Sequence, residues 1–111
     1  MWKKIKDYNN YSVNENGEVR NDISGKIKST RVFKSTGYCY VGLWENNKEK
    51  NMLIHRLVAE AFIPNPHGFD TVDHIDGNKK NNCISNLQWL SRGDNVRKSR
   101  GKALKDFKEV E

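Results

Sequence analysis

The sequence predicts a small α+β protein, with an antiparallel β module at the N-terminus followed by a strand–loop–strand–helix unit. Three observations carry this. Two hairpin signatures lie in the first half of the chain. The apolar pattern then changes from alternation to a helical period over residues 54–62. Beyond a Pro-Asn-Pro stop, two β-prone runs flank a polar loop, and a helix-start signal follows the second.

The elements follow in order. Tyr11-Ser12-Val13 and Glu18-Val19-Arg20 flank Asn14-Glu15-Asn16-Gly17, and Asn-Gly is the strongest short hairpin signal because both residues tolerate positive φ. Ile27, Val32 and Phe33 continue in short, broken β segments. A second hairpin runs from Tyr38 to Trp44, turns at Glu45-Asn46-Asn47-Lys48, and returns through Asn51 to Ile54. Over His55 to Phe62 the pattern is helical, with Ile54, Leu57, Val58, Ala61 and Phe62 on one face. Pro64-Asn65-Pro66 ends that helix, since neither proline offers a backbone N–H. Thr71 to Ile75 reads as a strand, Asp76-Gly77-Asn78 as a turn, Lys79 to Ser85 as a polar loop, and Leu87 to Leu90 as the returning strand. Ser91 then reads as an N-cap, with Asp94 three residues on, opening a helix to about Arg100. Trp2, Trp44 and Trp89 are expected to anchor the core. The charged stretch 102–111 is expected to fray.

Composition bounds what such a chain can be. A length of 111 residues suits one domain. Hydrophobic residues make up 35% and charged residues 31%, so a thin core under a strongly solvated surface is expected. No apolar run is long enough to span a bilayer, and no apolar block follows the basic residues near Met1 as a signal peptide requires. Cys39 and Cys83 form no CxxC pair, which argues against a cysteine zinc site or a disulfide scaffold and fits a cytoplasmic protein with free thiols. The net charge of +6 is concentrated at the ends: residues 1–34 hold 8 basic and 4 acidic side chains, and residues 92–111 hold 7 and 4. Basic ends around a neutral centre suit a polyanion contacted along a length, although lysine-rich solvated surfaces have the same composition.

The residues able to do chemistry gather in the C-terminal half. Asp73 and His74 share one predicted strand, Asn86 begins the next, and Asn95 lies about one turn into the following helix. Folding that helix over the strands brings the oxygen donors of Asp73 and Asn95 together, the kind of donor that Mg²⁺ prefers when waters and a phosphate complete its shell. As neighbours on a strand, Asp73 and His74 should leave opposite faces, yet both can flank one phosphate at a strand edge. His74 is suited to general-base work, being neutral near pH 7; a lone histidine is more often a packing residue, but this one has company. Asp76-Gly77-Asn78 and Asn81-Asn82 read as turn and loop formers without a chemical role. A calcium loop over 73–84 is excluded, because Ile75, Gly77 and Ile84 occupy ligand positions.

Taken together, Asp73-His74-Ile75-Asp76-Gly77-Asn78, Asn81-Asn82, Asn86-Leu87-Gln88-Trp89 and Asn95 resemble the HNH nucleases, most closely the homing-type, phage-encoded branch. The segment His55-Arg56-Leu57-Val58-Ala59 to Phe62-Ile63-Pro64-Asn65-Pro66 is similar to that branch as well. Trp2-Lys3, Ile5, Tyr8, Tyr11, Val13, Gly17 and Val19-Arg20 resemble the small module that often precedes the nuclease. The resemblance implies a ββα-metal nuclease unit over residues 51–101 behind a β module over 1–50, which hydrolyses double-stranded DNA with one divalent ion, Mg²⁺ or Mn²⁺. By the same resemblance, Asp73 and Asn95 are the metal ligands, His74 the general base, and Asn86 the residue that holds the loop and the orientation of His74. The third letter of the motif is here an asparagine, whose amide oxygen still serves a hard metal.

Nicking of one strand to leave 5′-phosphate and 3′-hydroxyl ends is implied, since one site cuts one strand; monomer and homodimer both stay open. His55, Arg56, Lys79, Lys80, Arg97, Lys98 and Arg100 are candidate phosphate contacts. Members of this branch usually carry further DNA-reading segments after the nuclease unit, whereas this sequence runs about ten residues past its last predicted helix. Weak sequence reading is therefore expected, with the N-terminal module as the candidate reader. The expected setting is a phage-infected or prophage-carrying bacterial cell. A DNA-binding module that keeps the fold without catalysis is the alternative, and a role on RNA ranks last.

Overall fold

The computed structural model describes residues 1–95; Arg97, Lys98, Arg100 and the tail 102–111 lie outside the described residues. Strands β1 (Lys3–Ile5), β2 (Tyr8–Val13) and β3 (Val19–Asn21) form one antiparallel sheet in that order. Strands β4 (Arg31–Val32), β5 (Cys39–Glu45) and β6 (Lys48–Leu53) form a second. Helix α1 (Ile54–Phe62) follows β6 directly, and β7 (Thr71–His74) pairs with β8 (Leu87–Leu90) as a two-stranded ribbon. A single 3₁₀ turn, Ile84–Asn86, leads into β8. Residues 92–95 are helical, and the Asp94 N–H donates to Ser91 Oγ at 3.1 Å, so Ser91 is the N-cap the sequence indicates.

The two hairpins turn by different means. At the β5–β6 tip Asn46 and Asn47 have φ of 53° and 62°, the doubly left-handed pair that a two-residue turn requires. Between β2 and β3 only Gly17 is left-handed, at φ 83°. There Asn14 shapes the longer turn, its Oδ1 accepting from the N–H groups of Asn16 and Glu18 at 3.0 and 2.9 Å.

The core is one continuous cluster. Ile5, Tyr11, Val13 and Val19 of the first sheet and Cys39, Val41 and Leu43 of β5 pack with Ile54, Leu57, Val58 and Ala59 of α1 and with Val72 and Leu87 of the ribbon. Inward pointing of Cys39, Val41 and Leu43 on alternate positions of β5 sends Trp44 outward. Trp44 is accordingly 52% exposed and is not the core anchor its size suggested. Trp2 is half-buried under the Arg20 guanidinium at 4.3 Å, and Trp89 packs on the core with its indole N–H donating to the Ile63 carbonyl at 3.0 Å. Leu43 is fully buried, so Leu43→Ala is expected to cost about 2–5 kcal/mol, read as a lower urea midpoint. Helix α1 ends at Phe62 because Ile63, before Pro64, is extended at φ −110°, ψ 116°. Its inward face also includes His55 and Ala59, whereas Ala61 and Phe62 are only half-buried.

Candidate active site

The two ends of β7–β8 differ in what they carry. Alternation along β7 puts Val72 and His74 on the face toward α1, and Thr71 and Asp73 on the other. Asp73 is buried to 8% exposure, and its Oδ2 accepts from the Gln88 side chain, its cross-strand partner, at 2.9 Å. His74, 5% exposed, ends the strand where the chain turns, and the Gly77 N–H returns to its carbonyl at 2.8 Å. The sequence-derived opposition of Asp73 and His74 thus holds. Both flank the same strand end.

The loop beyond His74 is tied down by Asn86, itself 8% exposed. Its Oδ1 accepts from the Asp76 N–H at 3.0 Å, while its Nδ2 donates to Asp76 Oδ1 and to the Asn81 carbonyl, both at 2.9 Å. The Ile75 N–H adds a bond to the Asn86 carbonyl at 2.8 Å. Hydrogen bonds from the Asn78 N–H and from the Asn81 and Asn86 side chains hold the Asp76 carboxyl below its ordinary range. Asp76 is therefore part of the clasp, more than the turn former the sequence suggested.

The same clasp presents Asn82, and here the loop reading of Asn81-Asn82 is corrected. Asn82 is 7% exposed, with Oδ1 at 2.7 Å from His74 Nε2. An amide oxygen accepts only from a protonated nitrogen, so this contact uses the Nε2–H of the ring and leaves Nδ1 as the nitrogen not engaged by Asn82. Nothing in the local sequence marks Asn82 apart from its asparagine neighbours. Its role arises from the fold.

Two further rings face His74. The His55 ring lies 4.8 Å from it and the Tyr38 ring 6.1 Å away, stacked at 20°. Tyr38 and His55 are themselves 4.8 Å apart. His55 is 5% exposed, and its Nδ1 has no hydrogen-bond partner among the described residues. Burial first, then the neighbouring charges of His74 and Arg56, lowers its pKa to about 4, so His55 is neutral at pH 7. The unfolded chain binds that proton near 6.5 and the folded chain only near 4. The stability contributed by neutral His55 is thus complete above pH 6.5 and is lost as the pH falls toward 4. Urea midpoints are expected to decline through that window, and His55→Phe should flatten the decline.

The cationic candidates are dispersed. Arg56 donates to the Asp70 carbonyl at 2.6 Å, sits 3.5 Å from Glu60 and covers the Trp89 ring at 5.6 Å. Lys79 donates to the Thr36 carbonyl at 2.6 Å and lies 4.8 Å over the Tyr38 ring, and Lys80 is exposed. His55 is too buried to reach a phosphate from the surface and instead lines His74. Asn95 lies in the helical turn after β8, its N–H on the Ser91 carbonyl at 3.0 Å.

A metal held by protein alone is not indicated, since no cluster of three or more His, Cys, Asp or Glu suited to an ion occurs among the described residues. The two ligands expected from the sequence, Asp73 and Asn95, would offer one carboxylate and one amide oxygen. That sparse, hard donor set fits an ion that keeps waters and takes phosphate oxygens, and does not fit a zinc cage.

Comparisons with known proteins show what this fold and sequence are similar to. Residues 1–44 match the NUMOD4 motif and residues 52–97 match the HNH endonuclease family. The chain is 44% identical over 95 residues to an uncharacterized HNH endonuclease of Acanthamoeba polyphaga mimivirus, covering 86% of this chain and 28% of that protein. It is 42% identical over 96 residues to DNA endonuclease I-HmuI of Bacillus phage SP01, covering 86% of this chain and 55% of the relative. A solved structure of the HNH homing endonuclease I-HmuI, described for DNA binding and cleavage, superposes with a TM-score of 0.83 at 39% identity, over 93% of this chain and 59% of that one. The chain thus spans about half the length of I-HmuI and about a quarter of the mimivirus protein. With a NUMOD4 motif leading into residues that carry the Asp73-His74, Asn86 and Asn95 pattern on a ribbon-and-helix frame, residues 52–97 form an HNH endonuclease family domain.

Proposed function

We propose that this chain is the cutting portion of a divalent-metal-dependent DNA endonuclease that nicks one strand of double-stranded DNA, leaving 5′-phosphate and 3′-hydroxyl ends. The observation that carries the reading is the fixed imidazole of His74, with Nε2 engaged by Asn82 at 2.7 Å on a loop clasped by Asn86. A base held in one tautomer needs no reorientation as it works. His74 Nδ1 takes a proton from water, the water oxygen forms a bond to phosphorus in line with the 3′ oxygen, and the P–O3′ bond breaks as that oxygen gains a proton from solvent. Asp73 and Asn95 would hold one Mg²⁺ or Mn²⁺, which would supply stabilisation of the charge developing on the phosphate and the departing oxygen. Asn86 keeps the loop closed behind His74. Residues 51–101 form the nuclease core in this reading, and residues 1–50 a module that contacts DNA. Lys79, Lys80, Arg97, Lys98 and Arg100 supply phosphate contacts, which give affinity and salt dependence without sequence information. No helix among the described residues is long and apolar enough to cross a membrane. The phage origin of the relatives supports action inside an infected or prophage-carrying bacterium, and in this reading the site of action is its cytoplasm.

The test is a supercoiled-plasmid assay with Mg²⁺, Mn²⁺ or EDTA. Conversion to open circles in the metal lanes, absent with EDTA, is the expected result, and linear product at the first turnover would replace nicking by double-strand cleavage. Intact but retarded plasmid in every lane, repeated with phage or intron target DNA, would replace the enzyme by a non-catalytic binding module.

A further inference from the structure

Residues of the NUMOD4 motif touch His74 and its support at several points. Tyr38, at the entry to β5, belongs to the matched motif, and its ring faces those of His55 at 4.8 Å and His74 at 6.1 Å. Its position is set from both sides. The Phe33 N–H donates to the Tyr38 carbonyl at 3.0 Å, and Lys79, from the loop beyond His74, lies 4.8 Å over the ring while bonding the Thr36 carbonyl. A second contact works through Asn82. Gly17 of the β2–β3 turn is left-handed, and a Cβ there would stand 3.0 Å from the Asn82 Cβ and 3.3 Å from its carbonyl oxygen. The Ile84 N–H donates to the Glu15 carbonyl of the same turn at 2.8 Å. The segment that presents Asn82 to His74 is thus seated on the N-terminal hairpin.

From these contacts we infer that the N-terminal motif is a structural part of the cutting centre, with Tyr38 and the Glu15–Gly17 turn as positioning residues for His74. The inference rests on the reading of His74 as general base. Tyr38 limits the ring from one side through His55, and the turn fixes Asn82, which holds Nε2. The phenol hydroxyl is not needed for this. Only the flat ring is. A module that served solely to contact DNA would need neither a left-handed glycine against the nuclease loop nor an aromatic ring in line with the buried histidines.

The experiment compares Tyr38→Leu and Tyr38→Phe with the parent chain and with His74→Ala, in single-turnover nicking of supercoiled plasmid with Mg²⁺ and in DNA binding under EDTA. Tyr38→Leu is expected to slow nicking about tenfold or more while DNA affinity stays within about twofold, and Tyr38→Phe to restore the parent rate. Thermal melting of each variant separates loss of position from loss of fold. Should Tyr38→Leu not fold, Gly17→Ala is read in its place, since it presses on Asn82 from the other contact and should give the same split between rate and affinity. A Tyr38→Leu chain that nicks at the parent rate, or that loses binding and rate together, overturns the inference. If His74→Ala itself still nicks, it is the general-base reading that fails, whatever the Tyr38 variants do.

Discussion

His74→Ala is expected to reduce nicking by about 10²–10⁴-fold while DNA affinity, measured in EDTA, changes by less than about twofold. General-base catalysis by a positioned side chain is typically worth about 10²–10⁴ in rate, and His74 is the imidazole whose ring is oriented for it, with Nε2 on Asn82 at 2.7 Å. The ring is 5% exposed and contributes almost no surface to a bound duplex, so binding should survive its removal. A parallel loss of affinity and rate, with a lowered melting temperature, would make His74 a packing residue alongside His55.

Asp73→Asn is expected to lower the rate at least about a hundredfold at a fixed few millimolar Mg²⁺ and to raise the metal concentration at half-activity by about tenfold or more. The substitution preserves shape, and the amide oxygen can still accept from Gln88, so the ribbon pairing of Asp73 with Gln88 persists. What it removes is the negative charge, in a proposed donor set whose other protein ligand would be the neutral amide of Asn95. Titrating activity with Mg²⁺ and with Mn²⁺ checks it. An unchanged metal titration would take Asp73 out of the metal shell and leave it as a structural partner of Gln88.

Most of the frame was legible from sequence because it is written in local patterns. Alternation and turn residues marked both hairpins, the change of period marked α1, and Ser91 marked the start of the last helix. Strand β1 was not legible: it has three residues, its pairing with β2 shifts register between Lys4 and Ile5, and it turns through Asp7 at φ 68°. Trp44 was misread because bulk suggested burial, whereas its place beside Leu43 on β5 dictates exposure. The site divides in the same way. Asp73, His74, Asn86 and Asn95 stand in a recognisable order along the chain, while Asn82, His55 and Tyr38 acquire their places only through contacts among distant elements. Asn82 meets Gly17, and Tyr38 meets His55 and Lys79. No window of sequence contains both halves of such a pair.

The continuous core has a consequence for the order in which this protein is assembled during its own synthesis. A two-stranded ribbon is marginal in water without a surface to pack on, and β7–β8 finds that surface on α1 and the sheets made before it. The two sheets and α1 leave the ribosome before the ribbon does, so the surface the ribbon packs on is made first. A nascent or N-terminally clipped chain would therefore carry the letters of the motif with nothing to hold them in place.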